Sequence, residues 1–148
     1  MAVLNGRYNY QSFAANAAVA DRSAGPAAPP RVIRPPQIAA PWTPASVMEF
    51  ATSAEGVVTG SANLGPIEFK IEGRITPTEA GIADRAANPL PEGVDLTVTV
   101  PATGATYRLR GFFLNDSDHL VGTVVAVSRD LGMQPDGTSG PFVLYPVR

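Results

Sequence analysis

The chain has no cysteine in its 148 residues, which excludes disulfides, thiolate metal sites and cysteine nucleophiles. It has a single histidine, His119, so a zinc site would need carboxylate ligands grouped around one imidazole. No metal and no cofactor is therefore expected. Charge is sparse as well: 16% of residues are charged and the net charge is −2. A dedicated nucleic-acid binder would show a basic excess or stripe, and none is present. No run approaches the roughly 18 apolar residues of a membrane-spanning helix. Residues 1–7 carry no basic stretch followed by an apolar one, so no secretory signal is read and the expected location is the cytoplasm. Gly-x-Ser-x-Gly, Walker-type and Gly-x-Gly-x-x-Gly loops are all missing, which argues against nucleotide and phosphoryl chemistry.

The chain does have backbone punctuation, with 15 prolines and 14 glycines. Both residues penalise helix interiors, so long helices are excluded. Apolar residues make up 45% of the sequence, as expected of a globular chain, and the length suits one domain over 1–148 that buries a core without a covalent staple. Lys70 is the only lysine among eleven basic residues. Together with the many alanines and prolines, that bias fits a bacterial coding sequence rich in GC.

Period-two alternation dominates the rest of the chain. Residues 6–13 read as a strand, with Tyr8 and Tyr10 on one face. Residues 14–20 are Ala-rich and would suit a short helical turn. Seven prolines then fall within residues 26–44. Such a segment can be neither a helix nor a central strand, so 24–44 is expected to be an extended, polyproline-like loop. Val32, Ile33, Ile38 and Trp42 within it would pack part of this loop on the domain as a lid.

Six further strands follow, over 46–51, 57–62, 67–75, 94–100, 106–114 and 120–128, and 142–147 completes a set of eight. Residues 67–75 divide most cleanly. Ile67, Phe69, Ile71, Gly73 and Ile75 face one way, and Glu68, Lys70, Glu72 and Arg74 face the other, as in a half-buried antiparallel strand. Pro101-Ala102-Thr103-Gly104 suits a tight turn. Residues 76–92 and 129–141 read as loops. Strand 120–128 is apolar on both sides apart from Thr123, so it should be buried on both faces or lie at a homodimer contact. The expected fold is all-β, an eight-stranded antiparallel up-and-down barrel closed by its terminal strands, with a two-sheet sandwich as the alternative. Gly60, Gly73, Gly111 and Gly122 lie mid-strand, where they would permit the tight coiling of a small barrel.

Asn5-Gly6-Arg7-Tyr8 places a Gly-x-aromatic motif at the opening of the first strand of this meander. It resembles the first strand of the calycin superfamily, the lipocalins and avidin-like proteins, in which Gly-x-Trp or a close variant stands there. The resemblance implies an antiparallel barrel with a small-molecule cavity at one mouth. Tyr8 replaces the usual Trp, and Trp42 lies in the Pro-rich loop, so no biotin-binding residue carries over. Small bacterial barrels of this size also include allene oxide cyclase-like and Diels–Alderase-like proteins.

Four groups of residues are candidates for a site. Tyr8 and Tyr10 would offer two hydroxyls to a ligand, or else pack as aromatics. Trp42, restrained by Pro41 and Pro44, would close over the ligand or staple its loop to the wall. Arg108 and Arg110 share one strand face. They would bind a carboxylate or enolate if that face lines the cavity, and would pair across strands if it meets solvent. His119 follows Asp116-Ser117-Asp118 and is either an acid/base at the barrel rim or an exposed turn residue. The expected function is binding of an apolar small molecule. The alternatives are a cofactor-free cyclase or isomerase using the same cavity, and a structural or interaction module.

Overall fold

Inward-facing apolar residues recur at every second position around the molecule because eight antiparallel strands close on themselves. The computed structural model describes residues 2–16, 19–21, 31–34, 37–42, 46–76, 91–114, 117–127 and 137–148. Its strands are β1 (Gly6–Asn16), β2 (Val19–Asp21), β3 (Arg31–Arg34), β4 (Gln37–Pro41), β5 (Ser46–Thr52), β6 (Val57–Leu64), β7 (Ile67–Thr76), β8 (Gly93–Val100), β9 (Ala105–Phe113), β10 (Leu120–Ala126) and β11 (Ser139–Pro146). Strands β5 to β11 pair as consecutive antiparallel neighbours, and β1 pairs with both β5 and β11. The β1–β11 register, from Tyr8↔Pro146 to Ser12↔Phe142, closes the barrel. Closure removes every free edge from the eight-strand wall. No helix occurs among the described residues.

The alternation read from the sequence sets the two faces. On β8, Val94, Leu96, Val98 and Val100 are buried, while Thr97 between them is exposed. On β7, Ile71 and Ile75 are buried, and Glu68, Lys70, Glu72 and Arg74 project outward. The Lys70–Glu72 pair at 2.8 Å is 62% exposed on both sides, so it lies in solvent and adds little stability. Tight turns follow the positions of glycine. Gly104, at φ 74°, ends the β8–β9 turn, and its N–H donates to the Val100 carbonyl at 2.8 Å. Gly122 faces inward where β9 and β10 approach most closely, and a Cβ there would meet the Arg110 carbonyl and the Gly111 backbone.

The two ends of the barrel differ. One carries Leu4, Phe50, Val58, Ile75, Val94, Leu96, Phe113, Leu120 and Leu144, all buried and packed together. Leu4, fully buried, plugs this end. Thr52 holds the plug: its Oγ1 accepts from the Leu4 N–H and donates to the Leu4 carbonyl, both at 2.9 Å. The Thr52 N–H donates to Asn5 Oδ1 at 2.6 Å, and the Ala2 N–H donates to Glu92 Oε2. At the opposite end the inner wall carries small residues (Ser12, Ala62, Ala105 and Ala126), and space remains between them.

Two expectations are corrected, and a third is narrowed. The first strand runs on through Ala14 and Ala15 to Asn16 in place of a helical turn, because β4 gives those residues a ladder partner. The Pro-rich stretch contains β3 and β4 strands where a loop was expected. Pro41 is tolerated because β4 pairs with β1 alone and so needs donors on one side only. Of the two expectations for β10, burial on both faces does not hold within the single chain, where Val121 and Thr123 are exposed on the outer wall; a homodimer contact at that face stands as the other. The expected loop over 76–92 and the loop before β11 fall largely outside the described residues.

Candidate functional site

The small inner side chains leave a cavity of about 250 Å³ at the open end of the barrel. That end is framed by the β6–β7 turn at Gly65-Pro66, the β8–β9 turn at 101–104, and Trp42 just after β4. Met48, Val98, Leu109, Val124 and Tyr10 form the deep wall, and Asn63, Leu64, Ile67, Ala102 and Thr103 form the mouth. Below Tyr10 the larger residues of the plugged half fill the interior, which sets the depth of the cavity.

Tyr10 and Ser12 supply the buried hydroxyls of the cavity wall. They are neighbours on the inner face of β1, two residues apart, and each is almost fully buried. The Tyr10 ring packs against Phe142 at 6.0 Å. Burial pushes its phenol up to about 12, a shift that a hydrogen bond with Ser12 opposes in part. Tyr10 therefore stays protonated across the physiological range and serves as a hydrogen-bond partner, not a base.

Trp42 stands over this region. Its backbone N–H donates to the Ser12 carbonyl at 2.9 Å, which continues the β1–β4 ladder by one residue. The indole meets the Tyr107 ring edge-on at 6.1 Å and 81°, and Trp42 is only 6% exposed. The bond to Ser12 and the contact with Tyr107 thus hold the indole against the wall of the cavity that both residues line.

The other candidates lie elsewhere. Tyr8 shares the inner face with Tyr10 but sits one layer nearer the plug, where it packs edge-on against Phe50 at 5.7 Å and does not line the cavity. Burial and the negative charge of Asp118 raise its phenol. Arg108 and Arg110 project from the outer wall. Arg108 forms a fork to Asp95, with Nε to Oδ1 at 2.9 Å and Nη2 to Oδ2 at 2.7 Å, and Arg110 Nε reaches the same carboxylate at 3.3 Å. This is the cross-strand pairing that the solvent-facing alternative implied. The Arg108 hydrogen bond holds the Asp95 carboxyl below the usual aspartate range.

His119 lies at the plugged end, away from the cavity. Its Nδ1 is 2.7 Å from Ser117 Oγ, which also accepts the His119 backbone N–H at 2.9 Å. The ring stacks on Tyr145 at 6.2 Å and 12°. Among the described residues no three carboxylate or imidazole groups stand together as metal ligands would.

Comparison of the chain with protein-family models, with curated proteins and with solved structures gives no match. The candidate site therefore rests on geometry alone. Sequence reading missed Ser12, Met48, Phe69, Tyr107, Leu109 and Val124, all of which line the cavity. Two signals were available. Each lies on an inward-facing period-two position, and each falls in the half of its strand nearer Trp42 and the turns at 65–66 and 101–104.

Proposed function

We propose that this protein binds an apolar small molecule in the open end of the barrel, in the manner of a calycin-like carrier. The supporting observation is the cavity of about 250 Å³ lined almost entirely by apolar and aromatic side chains. Binding sites of small molecules have this character, with a few placed polar groups that fix orientation. The volume lies below the roughly 300–1,000 Å³ of sites for drug-sized ligands, so the expected ligand is smaller. Trp42 serves as a lid, and its indole contributes apolar contact at one side. A cyclase or isomerase reading would use the same cavity.

The test is a titration with N-phenyl-1-naphthylamine, an uncharged apolar fluorophore. Saturable 1:1 enhancement is expected, with quenching of Trp42, the only tryptophan. Ala105→Phe, which fills the cavity from β9, should abolish the enhancement while the protein remains folded by circular dichroism. Trp42→Phe should weaken binding with little change in melting temperature. No saturable signal from the wild-type protein would refute the proposal. A Trp42→Phe variant that binds normally but melts several degrees lower would make Trp42 a staple and not a lid.

A further inference from the structure

The proposed site also specifies the electrical character of its ligand, and this inference rests on the binding function proposed above. Among the described residues lining the cavity there is no lysine, arginine, histidine or carboxylate. The two arginines that could have met an anion, Arg108 and Arg110, are outside the barrel and bound to Asp95. The buried polar side chains lining the cavity are two hydroxyls, Tyr10 next to the plugged half and Ser12 one layer nearer Trp42. Both are almost fully buried, with Trp42 beside Ser12, so a polar ligand group that reaches them is screened from bulk water.

We infer that the cavity selects uncharged ligands that carry one oxygen function, an alcohol or a carbonyl, and takes them oxygen-first with the oxygen on Tyr10 and Ser12. A carboxylate placed there would lose its hydration without gaining a cation, and an unpaired buried charge is among the most costly of burials. A neutral oxygen exchanges hydrogen bonds to water for hydrogen bonds to the hydroxyl pair, which is close to an even trade. The high phenol pKa of Tyr10 agrees with this: the wall supplies a neutral donor and no charge.

The experiment compares 1-decanol with decanoate at pH 8, read by quenching of Trp42 and by displacement of N-phenyl-1-naphthylamine from the full chain. Decanol should bind at least about a hundredfold more tightly, since an ordinary carboxylic acid is almost wholly ionised at that pH. Lowering the pH toward 5 should raise the apparent affinity of decanoate about tenfold per unit and leave decanol unchanged. Tyr10→Phe, which keeps the ring, should weaken decanol at least about fivefold more than it weakens the fluorophore. Equal affinities for alcohol and carboxylate would mean that the polar head stays in water at the mouth, and would overturn the inference while leaving apolar binding intact. Tighter decanoate would also overturn it, by revealing a cation that reaches the cavity. Failure of the fluorophore and of both decyl ligands to bind would overturn the inference together with the proposed function.

Discussion

Leu4→Ala tests whether the plug makes one end of the barrel solid independently of the cavity at the other. Leu4 has no exposed surface, and its N–H and carbonyl are both tied to Thr52 Oγ1 at 2.9 Å. Truncating a buried leucine costs about 2–5 kcal/mol, and the higher values belong to sites that cannot collapse around the missing atoms. The tether to Thr52 and the closed wall prevent such collapse here, so about 3–4 kcal/mol is expected. Near this chain length each kcal/mol shifts the melting temperature by about 2–4 °C, which gives a fall of about 10 °C. Urea unfolding followed by far-ultraviolet circular dichroism should show a lower midpoint with an unchanged slope. Val3→Ala provides the control: Val3 is 50% exposed, and its truncation should cost under about 0.5 kcal/mol. At 25 °C the folded Leu4→Ala protein should bind N-phenyl-1-naphthylamine within about twofold of wild type. A loss below about 1 kcal/mol would refute the plug. Loss of ligand binding by the folded variant would refute the independence of the two ends.

Gly122→Ala places a methyl group against the Arg110 carbonyl and should destabilise the barrel by at least about 2 kcal/mol, read as a lower urea midpoint. Asp95→Asn removes the negative charge and one of the two acceptor oxygens facing Arg108 and Arg110, and should cost under about 1 kcal/mol at pH 7, because the cluster is largely in solvent. Asp95 has a depressed folded pKa, so its contribution is present above the unfolded aspartate value and is lost as pH falls through the folded one; the wild type and Asp95→Asn should converge in acid. Tyr10 has the opposite dependence on pH. Its phenol is raised to about 12, so the unfolded chain releases the proton first, and stability falls as pH rises from about 10 toward 12. Tyr10→Phe should be less sensitive over that range, and absorbance near 295 nm should show one tyrosine ionising last.

The meander was legible because β7, β8 and β9 divide most of their residues by side, with Phe112 on the outer face of β9 as an exception, and a strand with one wet face can be read from its period. The turn at 101–104 was legible because proline and glycine stand where a tight turn uses them. The Pro-rich stretch was misread because local chemistry shows that proline cannot donate, but not that a strand needs donors on one side only; β4, which pairs with β1 alone, is that case. The extension of β1 through Ala14 and Ala15 was missed for a similar reason, since alanine has no strong preference to set against a distant partner. Within the site, period two put Tyr8 and Tyr10 on one face, which was correct, but it carries no information on where along the barrel the packing ends. That boundary depends on the sizes of residues brought together from eight strands, so Tyr8 went to the plug and Tyr10 to the cavity. Arg108 and Arg110 could not be assigned from their own strand; their partner Asp95 lies on the neighbouring one.

The pairing of β1 with β11 also determines how the chain must fold. Tyr8 lies opposite Pro146 and Ser12 opposite Phe142, so the seam joins the first and last strands of the barrel. Contacts that close so long a loop come late, because the entropy of closure is spent before the contacts form. During synthesis the hairpins from β5 to β10 have neighbours, but β1 waits with one edge open until the final strand emerges. Tyr10 and Ser12 lie on that waiting strand, so the cavity does not close until β11 arrives. Ligand added during refolding should therefore leave the rate of closure unchanged and act on the reopening of the seam, slowing unfolding. An open β1 edge is also the place where a second chain would pair by mistake, and aggregation during refolding should fall when a β11 peptide is supplied in excess.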